Sequence, residues 1–183
     1  MKLIIGLGNP GARYETTRHN YGYLVVDELM QRSDAKFKKH RSNSVIASTV
    51  IADEKVVLAK PQSFMNESGP VVNALKQFYK VPDEDIIICY DDIDLTFGSF
   101  RIGLFKSSGG HNGAESIITA IGSSDFLRVR LGIGPQTGTA EDFVLSQWSK
   151  DENASLAQLI SKAADAVSDI ITNGVEDAAQ KFN

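Results

Sequence analysis

The sequence has a single cysteine and lacks several other features, and each of these absences excludes a class of protein. Cys89 is the single cysteine among 183 residues, so an intrachain disulfide framework is excluded. It lies in the apolar run 86–90, where we expect a buried side chain rather than a nucleophile. No apolar run approaches the roughly 18 residues of a membrane-spanning helix. The N-terminus has no signal-peptide pattern. We therefore expect a cytoplasmic protein that makes no membrane contact.

The charge balance limits the kind of nucleic-acid binding that is possible. A formal net charge of −4 argues against broad, nonspecific binding, which depends on neutralising phosphates. Net charge does not describe distribution, however, and one basic segment covers Lys36–Arg41. Four further basic residues occur in the second half of the chain. Taken singly, the segment and these four residues are expected to be solvated: Arg101, Lys106, Arg128 and Arg130.

The spacing of apolar residues predicts one α/β domain over residues 1–183. Strands are predicted at 2–8, 44–51, 55–60, 86–90, 99–105 and 126–133. Helices are predicted at 20–32, 70–79, 114–121 and 151–172, followed by a short terminal helix. The strands at 44–51 and 55–60 flank Asp53-Glu54 and predict a hairpin, which makes the sheet mixed rather than all parallel.

Gly6, Gly8 and Gly11 have the G-x-G-x-x-G spacing of a dinucleotide-binding loop. The context does not fit, because the nearest acidic candidates for binding a ribose fall within the predicted helix 20–32. Pro10 also removes a backbone N–H from the loop that would bind pyrophosphate. The spacing alone is therefore weak evidence for a nicotinamide enzyme.

Polar side chains recur instead where the predicted strands end, which is where ligands bind in α/β sheets. If these loops meet, they form a hydrolytic site without a protein nucleophile. A neutral histidine can take a proton from water, a carboxylate can fix its tautomer, and asparagine amides can stabilise an oxyanion. The candidates are Asn9, Tyr14, Arg18, His19, Asn20, Gln62, Ser63, Phe64, Asn66, Asp91, Asp92, Asp94, His111 and Asn112.

Each candidate also has a structural interpretation. Asn9 suits a turn, and Asn66 and Asn112 suit helix caps. The acidic residues after the strand 86–90 suit a solvated loop, and His111 can simply shape the glycine-rich loop around it. Phe64 and Met65 are by composition more typical of a core. Taken singly, most of these residues favour the structural interpretation.

Several ordered segments together resemble bacterial peptidyl-tRNA hydrolases. They span most of residues 3–134 in order and at the spacing of that family, which is far more specific than one glycine pattern. The segments are 6–11 with Tyr14, 17–22, 60–69, 91–95 with Gly98, 109–113 and 126–134.

This resemblance implies a metal-independent, cofactor-free monomer with a twisted mixed sheet surrounded by helices. It implies hydrolysis of the ester between a peptide and the 3′ ribose of tRNA. By motif, His19 matches the catalytic base, Asp91 its supporting carboxylate, and Asn9 the residue that discriminates N-blocked substrates. Four further residues match substrate-contacting positions: Tyr14, Phe64, Asn66 and Asn112.

Three residues depart from the family pattern, and they concern contacts to the tRNA backbone. Thr96 replaces a usual proline, Ala114 replaces a usual leucine, and Gly103 occupies an often basic position. Lys106 can compensate for Gly103, and Arg130 is a second candidate phosphate contact.

Two other functions remain open from the residues. A metal-dependent phosphohydrolase would use Asp91, Asp92 and Asp94, since carboxylates suit Mg²⁺, although the calcium-loop pattern fails in this segment. A non-catalytic RNA-binding protein on the same fold would not need both His19 and Asp91. The presence of this pair favours an enzyme.

Overall fold

The computed structural model describes residues 1–183 and contains one seven-stranded mixed sheet. The strands are β1 (Lys2–Gly6), β2 (Lys38–His40), β3 (Ser44–Ile51), β4 (Glu54–Pro61), β5 (Ile86–Thr96), β6 (Phe100–Leu104) and β7 (Leu127–Gly134). Their order is β2-β3-β4-β1-β5-β7-β6. The strands β4, β1, β5 and β7 are mutually parallel, whereas β2/β3, β3/β4 and β6/β7 pair antiparallel. The predicted hairpin and mixed sheet are confirmed.

Six helices cover the two faces of the sheet. They are α1 (Tyr21–Arg32), α2 (Ser68–Tyr79), α3 (Asn112–Ile121), α4 (Ala140–Val144), α5 (Lys150–Asn173) and α6 (Val175–Phe182). Alternate residues of the central strands face opposite cores, as the two-residue period of a strand requires. Ile4 and Ile87 pack with α1, α5 and α6, whereas Ile5 and Ile88 pack with α2 and α3. None of the six helices combines the length and the apolar character needed to cross a bilayer.

Two glycines bring α1 unusually close to the sheet. A Cβ atom on Gly6 would overlap the carbonyl oxygen of Gly22, and a Cβ on Gly22 would overlap the carbonyl oxygen of Cys89. The absence of side chains therefore lets the first turn of α1 lie directly on β1 and β5. This contact positions the residues just before α1 at the carboxyl end of β1.

The predicted boundaries differ from the observed ones most at β5. The sequence predicts a strand over 86–90 followed by an acidic loop, but the strand continues to Thr96 and pairs Asp91 with Leu131 and Asp92 with Gly132. Hydrogen-bond partners from other segments offset the cost of burying these carboxylates. The polarity of the local sequence does not reveal these partners. The short strand β2 and the short helix α4 were not predicted from the sequence. The helix predicted at 70–79 begins two residues earlier, at Ser68.

Candidate active site

A cleft of about 590 Å³ lies at the edge of the sheet where β1 and β4 end and where β5 carries its acidic residues. One wall comes from the segments after β1 and β4, another from the loop before α3, and a third from α4. Eight of the candidate residues from the sequence line it: Asn9, His19, Phe64, Asn66, Asp91, Asp92, His111 and Asn112. The structure thus brings most of the candidate residues together in one place.

The centre of the cleft is an Asp91–His19 pair. The Nδ1 atom of His19 lies 2.9 Å from each carboxylate oxygen of Asp91, whose side chain is almost fully buried. Burial lowers the pKa of His19, but the charge and hydrogen bond of Asp91 outweigh it, so the pKa is raised above 6.5. Because Nδ1 donates to Asp91, the neutral ring keeps its lone pair on Nε2, the atom a general base needs.

Asp91 also accepts a hydrogen bond from His111. The Nε2 atom of His111 lies 3.1 Å from Oδ1 of Asp91, while its Nδ1 accepts from the backbone N–H of Ala114 at 3.1 Å. The accepted bond leaves Nδ1 without a proton, so the neutral ring carries its hydrogen on Nε2 and donates it to Asp91. Burial raises the pKa of Asp91, but the two histidines overcome this effect and hold its pKa far below the usual range. Asp91 is therefore a permanent anion in the neutral pH range.

Asn9 is held in place by a second asparagine. The backbone N–H of Asn9 donates to Oδ1 of Asn20 at 2.8 Å, and Nδ2 of Asn20 donates to the Asn9 carbonyl at 3.0 Å. The side-chain Oδ1 of Asn9 accepts from the N–H of Met65 at 2.8 Å. These bonds leave Nδ2 of Asn9 as the available donor in the cleft. Both asparagines are buried, so this arrangement is firmly determined.

Arg18, which directly precedes His19, connects this segment to the residues that follow α4 and to the start of α5. Its guanidinium donates to Oγ of Ser146 at 2.7 Å, to the Gln147 carbonyl, and to the Glu152 carboxylate at 2.6 Å. It also stacks on Phe143, with 4.7 Å between Cζ and the ring centre. Burial of this charge is thereby compensated, and the start of α5 is tied to the catalytic segment.

The aromatic and amide candidates lie toward the mouth of the cleft. Phe64 is half exposed, so the core interpretation is wrong for it, whereas Met65 is buried. Tyr14 does not line the cleft but contacts Phe64 edge to face, with 6.4 Å between ring centres. Asn66 and Asn112 are exposed, and the cap of α3 is His111 rather than Asn112.

The basic candidate residues differ in exposure and in their partners. Lys106 is exposed, forms no ion pair and lies outside the cleft lining. Arg130 is paired with Asp92 and stacks on Phe105, so its charge is already engaged. The prediction of a solvated Arg128 is wrong, because its side chain is fully buried and donates to the Ser107 carbonyl at 2.5 Å.

The three acidic residues of β5 do not form a common ligand set. Asp91 binds the two histidines, Asp92 binds Arg130 and accepts from the backbone N–H of Asp94, and Asp94 is exposed. The one group of potential metal ligands is His19, Asp91 and His111, whose ligand atoms lie within 4.8 Å of one another. In this group the two imidazoles are hydrogen-bonded to the carboxylate, an arrangement that suits proton transfer.

Three candidates were named from the sequence without a role: His111, Asn20 and Arg18. For His111, the sequence Gly109-Gly110-His111-Asn112 before a helix marks a capping position. The partners of Asn20 and Arg18 lie on other segments of the chain, and a single sequence does not display such pairings. Helix α4 has a detectable signal, since Thr139 caps it and Glu141 and Asp142 follow.

Comparisons with known proteins agree on one family. The family model described as peptidyl-tRNA hydrolase matches residues 3–183. The peptidyl-tRNA hydrolase of Thermoanaerobacter sp. (strain X514) is 45% identical over 183 residues, covering 100% of both chains. That of Listeria monocytogenes serovar 1/2a is 41% identical, covering 100% of this chain and 99% of its own. The crystal structure of the enzyme from Acinetobacter baumannii superposes with a TM-score of 0.93 at 32% identity, covering 100% of this chain and 94% of that chain.

The Asp91–His19 contact predicts how His19 titrates. Replacing Asp91 with asparagine removes the charge that raises the pKa of His19, so the midpoint of its imidazole titration should move to lower pH. NMR of the ring C–H signals measures this midpoint. Asp94→Asn is the matched control, because Asp94 is exposed on the same strand and does not contact His19. An equal shift in both variants, or none in Asp91→Asn, would contradict the assignment.

Proposed function

Because the chain belongs to the peptidyl-tRNA hydrolase family and hydrolyses the ester that joins a peptide to tRNA, we propose that His19 is its general base. The observation that carries this proposal is the buried Asp91 carboxylate 2.9 Å from Nδ1 of His19. It fixes the tautomer with a free Nε2 and stabilises the imidazolium that forms. Asp91 is in this sense the supporting residue of the base.

In the proposed reaction a water molecule attacks the ester carbonyl carbon and gives its proton to Nε2 of His19. The tetrahedral intermediate then collapses, the bond from carbon to the ribose 3′ oxygen breaks, and the imidazolium returns the proton to that oxygen. No protein nucleophile is needed. Cys89 is fully buried with its pKa raised to about 12 by burial, and Ser108, which lines the cleft, forms no hydrogen bond with His19.

We assign the amides around the cleft to substrate recognition. Nδ2 of Asn9 is a cleft donor whose orientation is fixed by the bond from the Met65 N–H to Oδ1, which suits recognition of the carbonyl of an N-blocked aminoacyl group. Asn66 and Asn112 at the mouth, with Phe64 and Tyr14, supply contacts to the peptide or the terminal nucleotide. Lys106 and Arg130 remain proposed phosphate contacts. A monomeric state and a cytoplasmic location, where translation supplies the substrate, also stay predictions.

A non-catalytic RNA-binding protein is the alternative, and the preserved His19–Asp91 pair argues against it. His19→Ala should lower kcat for N-acetyl-aminoacyl-tRNA by about 10²–10⁴-fold, because the base that accepts the water proton is lost. Steady-state release of the blocked amino acid measures this effect. Affinity for uncleaved tRNA should stay close to that of the wild type. Unchanged turnover in His19→Ala would refute the assignment, and absence of turnover in the wild type would refute the function.

The clamp between Asn9 and Asn20 predicts a change in substrate discrimination. Asn9→Ala should lower the ratio of kcat/KM for N-blocked over free aminoacyl-tRNA by about tenfold, the value of one neutral hydrogen bond at the upper end of its range. Asn20→Ala should lower the same ratio, because it releases the Asn9 backbone. Asn73→Ala on α2 is the control. If Asn20→Ala slows both substrates equally, its role is structural only.

The alternative of a metal-dependent phosphohydrolase predicts the opposite response to chelation. Hydrolysis of N-acetyl-aminoacyl-tRNA should persist in excess EDTA, because water activation is assigned to His19 and the carboxylates of Asp91 and Asp92 already have protein partners. The measurement is the initial rate with and without chelator. Loss of the rate followed by recovery with Mg²⁺ would favour the metal-dependent mechanism instead.

A further inference from the structure

A second groove, of about 410 Å³, lies between the β2–β3 turn and α2, outside the catalytic cleft. Its lining combines a half-exposed aromatic ring, Phe78, with the polar side chains of His40, Arg41, Ser42 and Gln77. The ring of His40 lies 4.8 Å from that of Phe78 and 6.0 Å from that of Tyr79, nearly parallel to Tyr79. Cζ of Arg41 lies 4.7 Å from the centre of Phe78. Aromatic surface and positive charge are thus combined in one groove.

The charge around this groove is not neutralised by the protein itself. No ion pair is formed by Arg41, by Lys36, Lys38 and Lys39 shortly before it in the sequence, or by Lys80 at the C-cap of α2. By contrast, Arg18, Arg32, Lys60 and Arg130 each have an acidic partner. The chain as a whole carries a formal charge of −4. A concentrated group of unpaired cations on an acidic protein favours a polyanionic partner.

The hydrogen bonds of His40 prepare it to donate to an anion. Its Nδ1 faces Oγ of Ser42 at 2.8 Å and accepts the Ser42 backbone N–H at 3.3 Å. The ring hydrogen of the neutral form is therefore on Nε2. Together with the guanidinium of Arg41, this donor suits a phosphate, and Phe78 offers a face on which a base can stack.

The groove lies on the same edge of the sheet as the catalytic cleft. Ser44 pairs with Pro61, so the β2–β3 turn adjoins the carboxyl end of β4. The Asn43 carbonyl accepts from the backbone N–H of Gln62 at 2.8 Å, and Nδ2 of Asn43 donates to the Gln62 carbonyl at 3.3 Å. Phe64, at the mouth of the cleft, is two residues further along. The segment from Gln62 to Phe64 therefore joins the edge of the groove to the lining of the cleft.

We propose that this groove is a second nucleotide-binding site that holds a single-stranded segment of the RNA substrate, with a base stacked on Phe78 and its phosphate at His40 and Arg41. The inference rests on the proposed function, because that function supplies the RNA. The groove increases the affinity for tRNA and takes no part in the chemical step.

Binding of deacylated tRNA, measured by fluorescence anisotropy over a series of salt concentrations, tests this site independently of hydrolysis. Phe78→Ala should weaken binding about fivefold or more, and Phe78→Trp, which keeps an aromatic face, should restore it. Arg41→Ala should weaken binding and reduce the slope of log Kd against log salt by about 0.7, the value of one phosphate contact on a single strand. Lys55→Ala, an exposed cation at the opposite end of β4, should leave both quantities unchanged.

Hydrolysis of N-acetyl-aminoacyl-tRNA separates this proposal from the assignment of the active site. Phe78→Ala and Arg41→Ala should raise KM several-fold with kcat unchanged, at an unaltered melting temperature. If the wild type hydrolyses the substrate but both variants bind tRNA normally, the second site is refuted and the function stands. If AMP binds as tightly as tRNA, or an acidic peptide displaces tRNA from the groove, the RNA segment is the wrong occupant.

Discussion

The burial of the Asp91 carboxylate is the constraint on which the rest of the site depends. An isolated charge in the core would be prohibitively unstable, so Asp91 requires hydrogen-bond donors from both sides. His19 arrives from the segment before α1 and His111 from the cap of α3, so one carboxylate joins two helix starts to β5. Because each donor uses the nitrogen that faces Asp91, the same bonds that stabilise the anion also determine both histidine tautomers. Stability and reactivity therefore have a common cause here.

The close contact of α1 with the sheet makes this arrangement possible. Because Gly6 and Gly22 have no side chains, the backbone of α1 packs directly against the backbone of β1 and β5. This close packing places His19 within hydrogen-bond distance of Asp91. Residues on either side of His19 then fix the surroundings. Asn20 clamps the backbone of Asn9, and Arg18 ties the segment to the beginning of α5. Three successive residues thus orient the base, an amide donor and a wall of the cleft.

Local patterns in the sequence predicted the parts of the structure that local physics determines. The periodicity of apolar residues predicted the order of strands and helices along the chain. The polar residues at the strand ends predicted that His19, Asp91 and Asn9 belong to one site. Where the prediction was wrong, a distant partner decided the outcome. Burial of Asp92 depends on Arg130, and burial of Arg128 depends on the Ser107 carbonyl and the Phe126 ring. A single sequence does not display such pairings, so both side chains were expected to be solvated.

The glycine spacing at the N-terminus shows how one pattern can serve two different physical requirements. In a dinucleotide site these glycines leave room for a pyrophosphate beside the backbone. In this chain the space beside Gly6 is filled by the backbone of Gly22, and the space beside Gly8 is filled by Tyr23 and Asn20. Only Gly11 is open, and its positive φ of 107° serves the turn. The glycines accommodate a helix instead of a ligand, and the residue they present to the cleft is Asn9, whose side chain in a dinucleotide site would carry no specific role.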